Sequence, residues 1–126
     1  MKNFISLIFI FVATVSFSQD ENIYTKFKTG TFTYTSGKQT IVVKRTKKKQ
    51  IEYFDGGKIV MNVKWTSDST FVLIAKKIGG KPGCLSRGDW VKVKIVKIEG
   101  ATYTAKFYSE FCGNGSTVFT KVKEEL

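Results

Sequence analysis

Hydrophobic and polar residues alternate along much of the chain with the two-residue period of a β-strand, in which neighbouring side chains point to opposite faces. The pattern is clearest at Ile59, Met61, Val63 and Trp65, which are separated by mostly polar residues. Beyond the first eighteen residues no helical period exceeds one turn. Runs rich in β-branched and aromatic residues predict nine strands, at 24–28, 31–35, 40–45, 50–54, 58–65, 70–77, 90–99, 101–109 and 116–123.

One of these strands changes phase within its own length. Val91, Val93 and Ile95 alternate with lysines, but Val96 and Ile98 are apolar in the opposite phase. An extra residue in a strand shifts every later side chain to the other face. The sequence therefore predicts a bulge or bend near residues 95–96.

The segments between predicted strands are short and contain residues typical of tight turns. Residues 55–57 (Asp-Gly-Gly) and 114–115 (Asn-Gly) suit hairpin turns, whereas residues 79–89 form one long loop. Successive hairpins give an antiparallel meander that must curl to hide its edges. We expect an all-β, up-and-down fold of about eight or nine strands, a small barrel or curled sheet of the lipocalin type. A compact β-sandwich is the alternative.

The N-terminal segment has the three parts of a secretory signal peptide. A lysine at position 2 precedes an apolar run over residues 4–15, and Ser16 and Ser18 are small residues at the positions that a signal peptidase reads. The run is shorter than the roughly 20 residues of a membrane span, so a retained anchor is the less favoured reading. We expect residues 1–18 to be removed and residues 19–126 to form one exported domain, periplasmic or secreted.

Composition restricts the chemistry of this domain. The chain has no histidine and two cysteines, which excludes His-based catalytic triads and Cys₄ or His-containing zinc sites. We therefore expect no enzyme, metal or cofactor. The chain contains 21 Lys and Arg against 10 Asp and Glu, a net charge of +11. Such a charge opposes self-association and attracts anionic surfaces; we expect a monomer.

The two cysteines, Cys84 and Cys112, lie in the long loop and just after a predicted strand. In an oxidising compartment two cysteines of a small domain usually pair. We predict a disulfide that ties the loop to the sheet, with free thiols or a redox pair as alternatives.

Three short segments are similar to a known group of proteins. Residues 27–34 (FKTGTFTY), 51–53 (IEY) and 63–68 (VKWTSD) resemble landmarks of small exported proteins from flavobacteria and their relatives, which open on F-K-T-G-x-F-x-Y. The group has no established activity, so the resemblance implies no catalytic residues. A topoisomerase name attached to some members does not suit an exported chain this small. Members often carry a cysteine on each side of these segments, but residues 23–26 and Ser69 stand there here, so that bridge is not transferred.

The densest charge cluster lies at the tip of a predicted hairpin. It consists of Lys44, Arg45, Lys47, Lys48 and Lys49. Together these residues could bind an anionic component of the cell envelope; nucleic acid is not the expected partner. The alternative is a solvated turn whose lysines prevent edge-to-edge pairing of strands.

Several aromatic residues fall at positions assigned to the interior. These are Phe32, Tyr34, Trp65, Phe71, Tyr103 and Phe107. In a barrel they could line a cavity for a small apolar ligand, or they could simply fill the core. The functional expectation is thus an exported, non-enzymatic binding or structural domain that holds an apolar ligand, with a surface for anionic partners as the alternative.

Overall fold

The computed structural model describes residues 23–81 and 83–123, which fold into a closed antiparallel barrel of eight strands. Each strand pairs with the next one along the chain, and the first pairs with the last through Thr31 opposite Lys123 and Thr33 opposite Thr120. The strands are β1 Gly30–Ser36, β2 Gln39–Arg45, β3 Lys49–Phe54, β4 Gly57–Trp65, β5 Thr70–Gly79, β6 Trp90–Glu99, β7 Thr102–Ser109 and β8 Gly113–Lys123. The predicted all-β meander is confirmed as a barrel rather than a sandwich.

The predicted strand at residues 24–28 is wrong. Thr25–Phe27 forms a 3-10 helix, in which the amides of Phe27 and Lys28 donate to the carbonyls of Tyr24 and Thr25. Phe27 is fully buried, with its ring 4.9 Å from that of Tyr103. The segment folds into a turn because burial of Phe27 in the end of the barrel outweighs the β-propensity of its neighbours.

The predicted irregularity in the long strand is confirmed. In the pairing of β6 with β7, Ile95 lies opposite Ala105 and Lys97 opposite Thr104, so Val96 has no partner residue. Ile95 is buried, whereas Val96 is 43% exposed. The extra residue explains why the apolar phase changes there.

The predicted turn at Asn114 and Gly115 is also wrong, because both residues lie inside β8. The chain reverses over residues 110–112, and Gly113 adopts the positive φ of 77°. Gly115 serves packing instead: a Cβ at that position would overlap the ring of Phe107 on β7.

The two ends of the barrel differ. One end, here called the base, carries the 3-10 helix and the connections 46–48, 66–69 and 100–101. The Lys26 ammonium donates to the Gly100 carbonyl over 2.7 Å and holds the helix against this end. The opposite end, the mouth, carries the connections 37–38, 55–56, 80–89 and 110–112.

The largest fully buried side chains of the core lie in the half of the barrel nearest the base. The buried side chains of the core include Phe27, Phe32, Val43, Val63, Phe71, Ile95 and Tyr103. The predicted signal peptide, residues 1–18, lies outside the described residues, and no helix among residues 23–81 and 83–123 is long and apolar enough to cross a membrane.

Candidate functional site

A cavity of about 360 Å³ occupies the half of the barrel nearest the mouth and opens there. Its volume lies within the range of small-molecule sites, roughly 300 to 1,000 Å³. Most of its wall is apolar, from Ile59, Met61, Leu73, Leu85, Val91, Val93, Ala105, Phe107 and Phe119. Inward positions near the mouth carry aliphatic, small and polar side chains beside the rings of Tyr34, Phe107 and Phe119, and these side chains leave the space unfilled.

Polar residues also line the cavity, and three of them, on β1 and β3, are linked by hydrogen bonds. The Tyr34 hydroxyl on β1 donates to Glu52 Oε1 over 2.6 Å, and Gln50 Nε2 on β3 donates to Glu52 Oε2 over 2.9 Å. All three residues line the cavity. Burial, and secondarily the neighbouring Glu52 carboxylate, raises the pKa of Tyr34 well above its usual value. The phenol is therefore protonated at neutral pH and acts as a donor to Glu52.

Gln50 connects this carboxylate to a buried arginine beneath the cavity. Arg45 Nε donates to Gln50 Oε1 over 2.7 Å, while its other nitrogens donate to the Phe27 carbonyl at 2.8 Å and to the Tyr103 hydroxyl at 2.9 Å. Arg45 is 1% exposed. Its guanidinium carbon lies 4.6 Å from the ring centroid of Phe32 and within 6 Å of two further rings.

This arrangement corrects the prediction for Arg45. The sequence places it in an exposed anion-binding cluster, but strand alternation turns its side chain into the barrel while that of Lys44 points outward. Lys44 lies over the Tyr53 ring at 5.6 Å, and Lys47, Lys48 and Lys49 are exposed. The basic hairpin therefore offers four lysines to solvent rather than five cations.

The predicted aromatic set divides into two groups. Tyr34 and Phe107 line the cavity. Phe32, Phe71 and Tyr103 are buried around the Arg45 guanidinium, and half-buried Trp65 packs on Phe71 with ring centroids 4.4 Å apart. Four of the six residues are thus placed in or against the core, where they fill space rather than line the cavity.

Gln50 and Glu52 are interior residues that the pattern of β3 alone does not indicate. In β3 the apolar Ile51 and Tyr53 suggest the opposite face, yet Gln50 is 1% exposed. The pairing with β2 contains the missing signal, because residues directly opposite each other in a sheet point to the same side. Glu52 lies opposite the buried Val43, and Gln50 lies opposite Arg45.

The predicted disulfide is present at the mouth. Cys84 and Cys112 are bonded, with Cα atoms 5.4 Å apart, and both residues line the cavity. The bridge joins the long loop after β5 to the connection before β8. It therefore fixes Leu85, the apolar loop residue that contributes to the cavity wall.

A second surface feature lies on the outside of β6 and β7. Lys92, Lys94 and Lys106, here called the basic flank, border a shallow groove of about 630 Å³. Lys94 lies directly opposite Lys106, and none of the three forms an ion pair with any described residue. Like charges directly opposite in a sheet are destabilising.

Within residues 23–81 and 83–123, no group of three or more His, Cys, Asp or Glu residues is arranged to hold a metal ion. Comparison of the chain with protein-family models, with curated proteins and with solved structures finds no match.

Proposed function

We propose that this chain is an exported, non-enzymatic binding protein that holds one small, mostly apolar ligand in the barrel. The observation that carries the proposal is the cavity of about 360 Å³, apolar over most of its wall and open at the mouth. A barrel that served only as a structural unit would gain stability by filling this space, since packing to normal interior density removes the cost of a void.

The secretory pattern of residues 1–18 and the disulfide between Cys84 and Cys112 support export. Disulfides persist in oxidising compartments such as the bacterial periplasm or the extracellular medium. In such a compartment a barrel could carry or store a poorly soluble compound.

The proposal is tested by filling the cavity from one strand. Thr117 on β8 lines the cavity, whereas its neighbour Ser116 is exposed on the outer face. We expect the wild-type protein and the Ser116→Trp control to bind a neutral apolar dye such as Nile red in one saturable site. Thr117→Trp should fold but bind at least tenfold more weakly. Equal dye binding by both variants, or no saturable binding by the wild type, would overturn the proposal.

The basic flank favours a second candidate function, binding of an anionic polymer of the cell envelope. Lys94 and Lys106 face each other without a neutralising acid among the described residues, an arrangement that a bound polyanion would relieve. The basic flank, rather than the hairpin at residues 44–49, is the preferred site for this polymer, because the side chain of Arg45 in the hairpin is buried in the barrel.

Two triple variants of equal net charge distinguish the surfaces. One changes Lys92, Lys94 and Lys106 to serine, and the other changes Lys47, Lys48 and Lys49 to serine. If the flank is the site, only the first variant should bind heparin more weakly and show a flatter dependence of affinity on salt, because fewer counterions are released. Loss of binding in the second variant alone would assign the polymer to the hairpin, and equal small losses would indicate diffuse attraction.

A further inference from the structure

The three hydrogen-bonded polar side chains of the cavity wall, Tyr34, Gln50 and Glu52, differ in what they can offer a ligand. The Tyr34 hydroxyl and one N–H of the Gln50 amide both donate hydrogen bonds to the Glu52 carboxylate. The carbonyl oxygen of the Gln50 side chain accepts a hydrogen bond from Arg45. An ionised carboxylate is an acceptor only, and each oxygen can accept more than one hydrogen bond. At this position the cavity therefore presents mainly acceptor capacity, centred on Glu52.

The negative charge of Glu52 has no direct counter-ion. The carboxylate forms no ion pair with any described Lys or Arg, and its link to Arg45 runs through the intervening Gln50 amide. Arg45 does not line the cavity, and its guanidinium donates hydrogen bonds to Gln50, Phe27 and Tyr103. A ligand in the cavity thus meets an anionic acceptor, and the buried cation is out of its reach.

From this geometry we infer that the ligand carries a hydrogen-bond-donating head group, an alkyl ammonium or a hydroxyl, which binds Glu52, and that the barrel discriminates against apolar carboxylates such as fatty acids. The inference rests on the proposed function and names the ligand class for the same cavity. A carboxylate head would place two like charges together in a poorly solvated space, which costs far more than it would in water.

The net charge of the protein favours the opposite preference, for anionic ligands. A protein of net charge +11 attracts anions at long range and repels cations. If the cavity were indifferent to the head group, an anionic amphiphile would bind better than a cationic one. The inferred preference is the reverse, so it must come from Glu52 rather than from the overall charge.

The test compares three ligands of one chain length by calorimetry at pH 7 and moderate salt: decylamine, decanol and decanoate, each below its aggregation concentration. We expect decylamine to bind at least tenfold more tightly than decanoate, about the factor that one charge-assisted hydrogen bond supplies, with decanol between them. Glu52→Gln should weaken decylamine at least tenfold, change decanol by less than threefold and improve decanoate. Glu99→Gln, which removes a carboxylate at the base, should leave all three affinities unchanged.

The outcomes separate the inference from the proposed function. Binding of all three ligands with equal affinity, or a preference for decanoate, would overturn the inferred head group while leaving an apolar binding cavity. Failure of every ligand to bind the wild-type protein would overturn the proposed function. If Glu52→Gln fails to fold, the order of the three affinities for the wild-type protein still tests the inferred head group, because that measurement requires no variant.

Discussion

Replacing Arg45 by methionine removes the cation at the centre of the base while keeping an unbranched side chain of similar length. The change leaves three buried acceptors without their donor: the Phe27 carbonyl, Gln50 Oε1 and the Tyr103 hydroxyl. Each unsatisfied buried group costs about 1 to 3 kcal/mol. Relief from burying the guanidinium offsets part of this cost, and we expect a net loss of about 3 to 5 kcal/mol, as when one member of a buried charged network is removed.

Urea unfolding followed by far-UV circular dichroism measures this loss. With an m-value of roughly 2 kcal/mol per molar, a loss of about 4 kcal/mol lowers the midpoint by about 2 M, a large part of the total stability of a small domain. Lys44→Met is the matched control, because the neighbouring side chain points outward and is exposed; it should change stability by less than about 0.5 kcal/mol. A loss below about 1 kcal/mol in Arg45→Met would show that the network does not stabilise the base.

Three further changes test other parts of the structure. Replacing Cys84 and Cys112 by serine removes a cross-link between residues 28 positions apart and should lower the free energy of unfolding by about 3 to 4 kcal/mol. The mass of the unreduced wild-type protein should be lower by two hydrogens, and a mass without that loss would contradict the bridge. Gly57→Ala should prevent normal folding because a Cβ there overlaps the Gly79 carbonyl, whereas a Cβ at Gly79 makes only an ordinary contact, 3.8 Å from the Lys58 carbonyl oxygen, so Gly79→Ala should fold; equal stability of the two would refute the close approach. Because burial raises the pKa of Tyr34, the unfolded chain loses this proton first, so stability falls as pH rises above about 10. Tyr34→Phe should make that alkaline decline shallower, and identical slopes in urea titrations would contradict the burial.

The strand pattern could be predicted because each strand has one face in the barrel and one in solvent. Alternation then appears directly in the sequence, and the bulge at Val96 appears as a break in it. The N-terminal 3-10 helix could not be predicted in this way. Its position depends on the burial of Phe27 against Tyr103, a contact between residues far apart in sequence that no local pattern contains.

The interior of the cavity was the hardest part to predict, because its polar residues contradict the usual rule for strand faces. Gln50 and Glu52 occupy inward positions where apolar residues are expected, and Arg45 is buried although the sequence places it in a surface hairpin. The polar residues are accommodated together, since each supplies a hydrogen-bond partner to the next. Such a network is recognisable only after the register between β2 and β3 is known.

Whether the cavity holds a ligand is tested most directly by native mass spectrometry of the protein purified from its own host without detergent. We predict a mature chain beginning near residue 19, its disulfide intact, with one small molecule bound per chain. Gentle activation should release that molecule, and its fragmentation should show an apolar body with an amine or hydroxyl head. A spectrum containing only the bare chain, from protein that also fails to bind Nile red, would contradict a ligand-binding function and leave a structural role for the barrel.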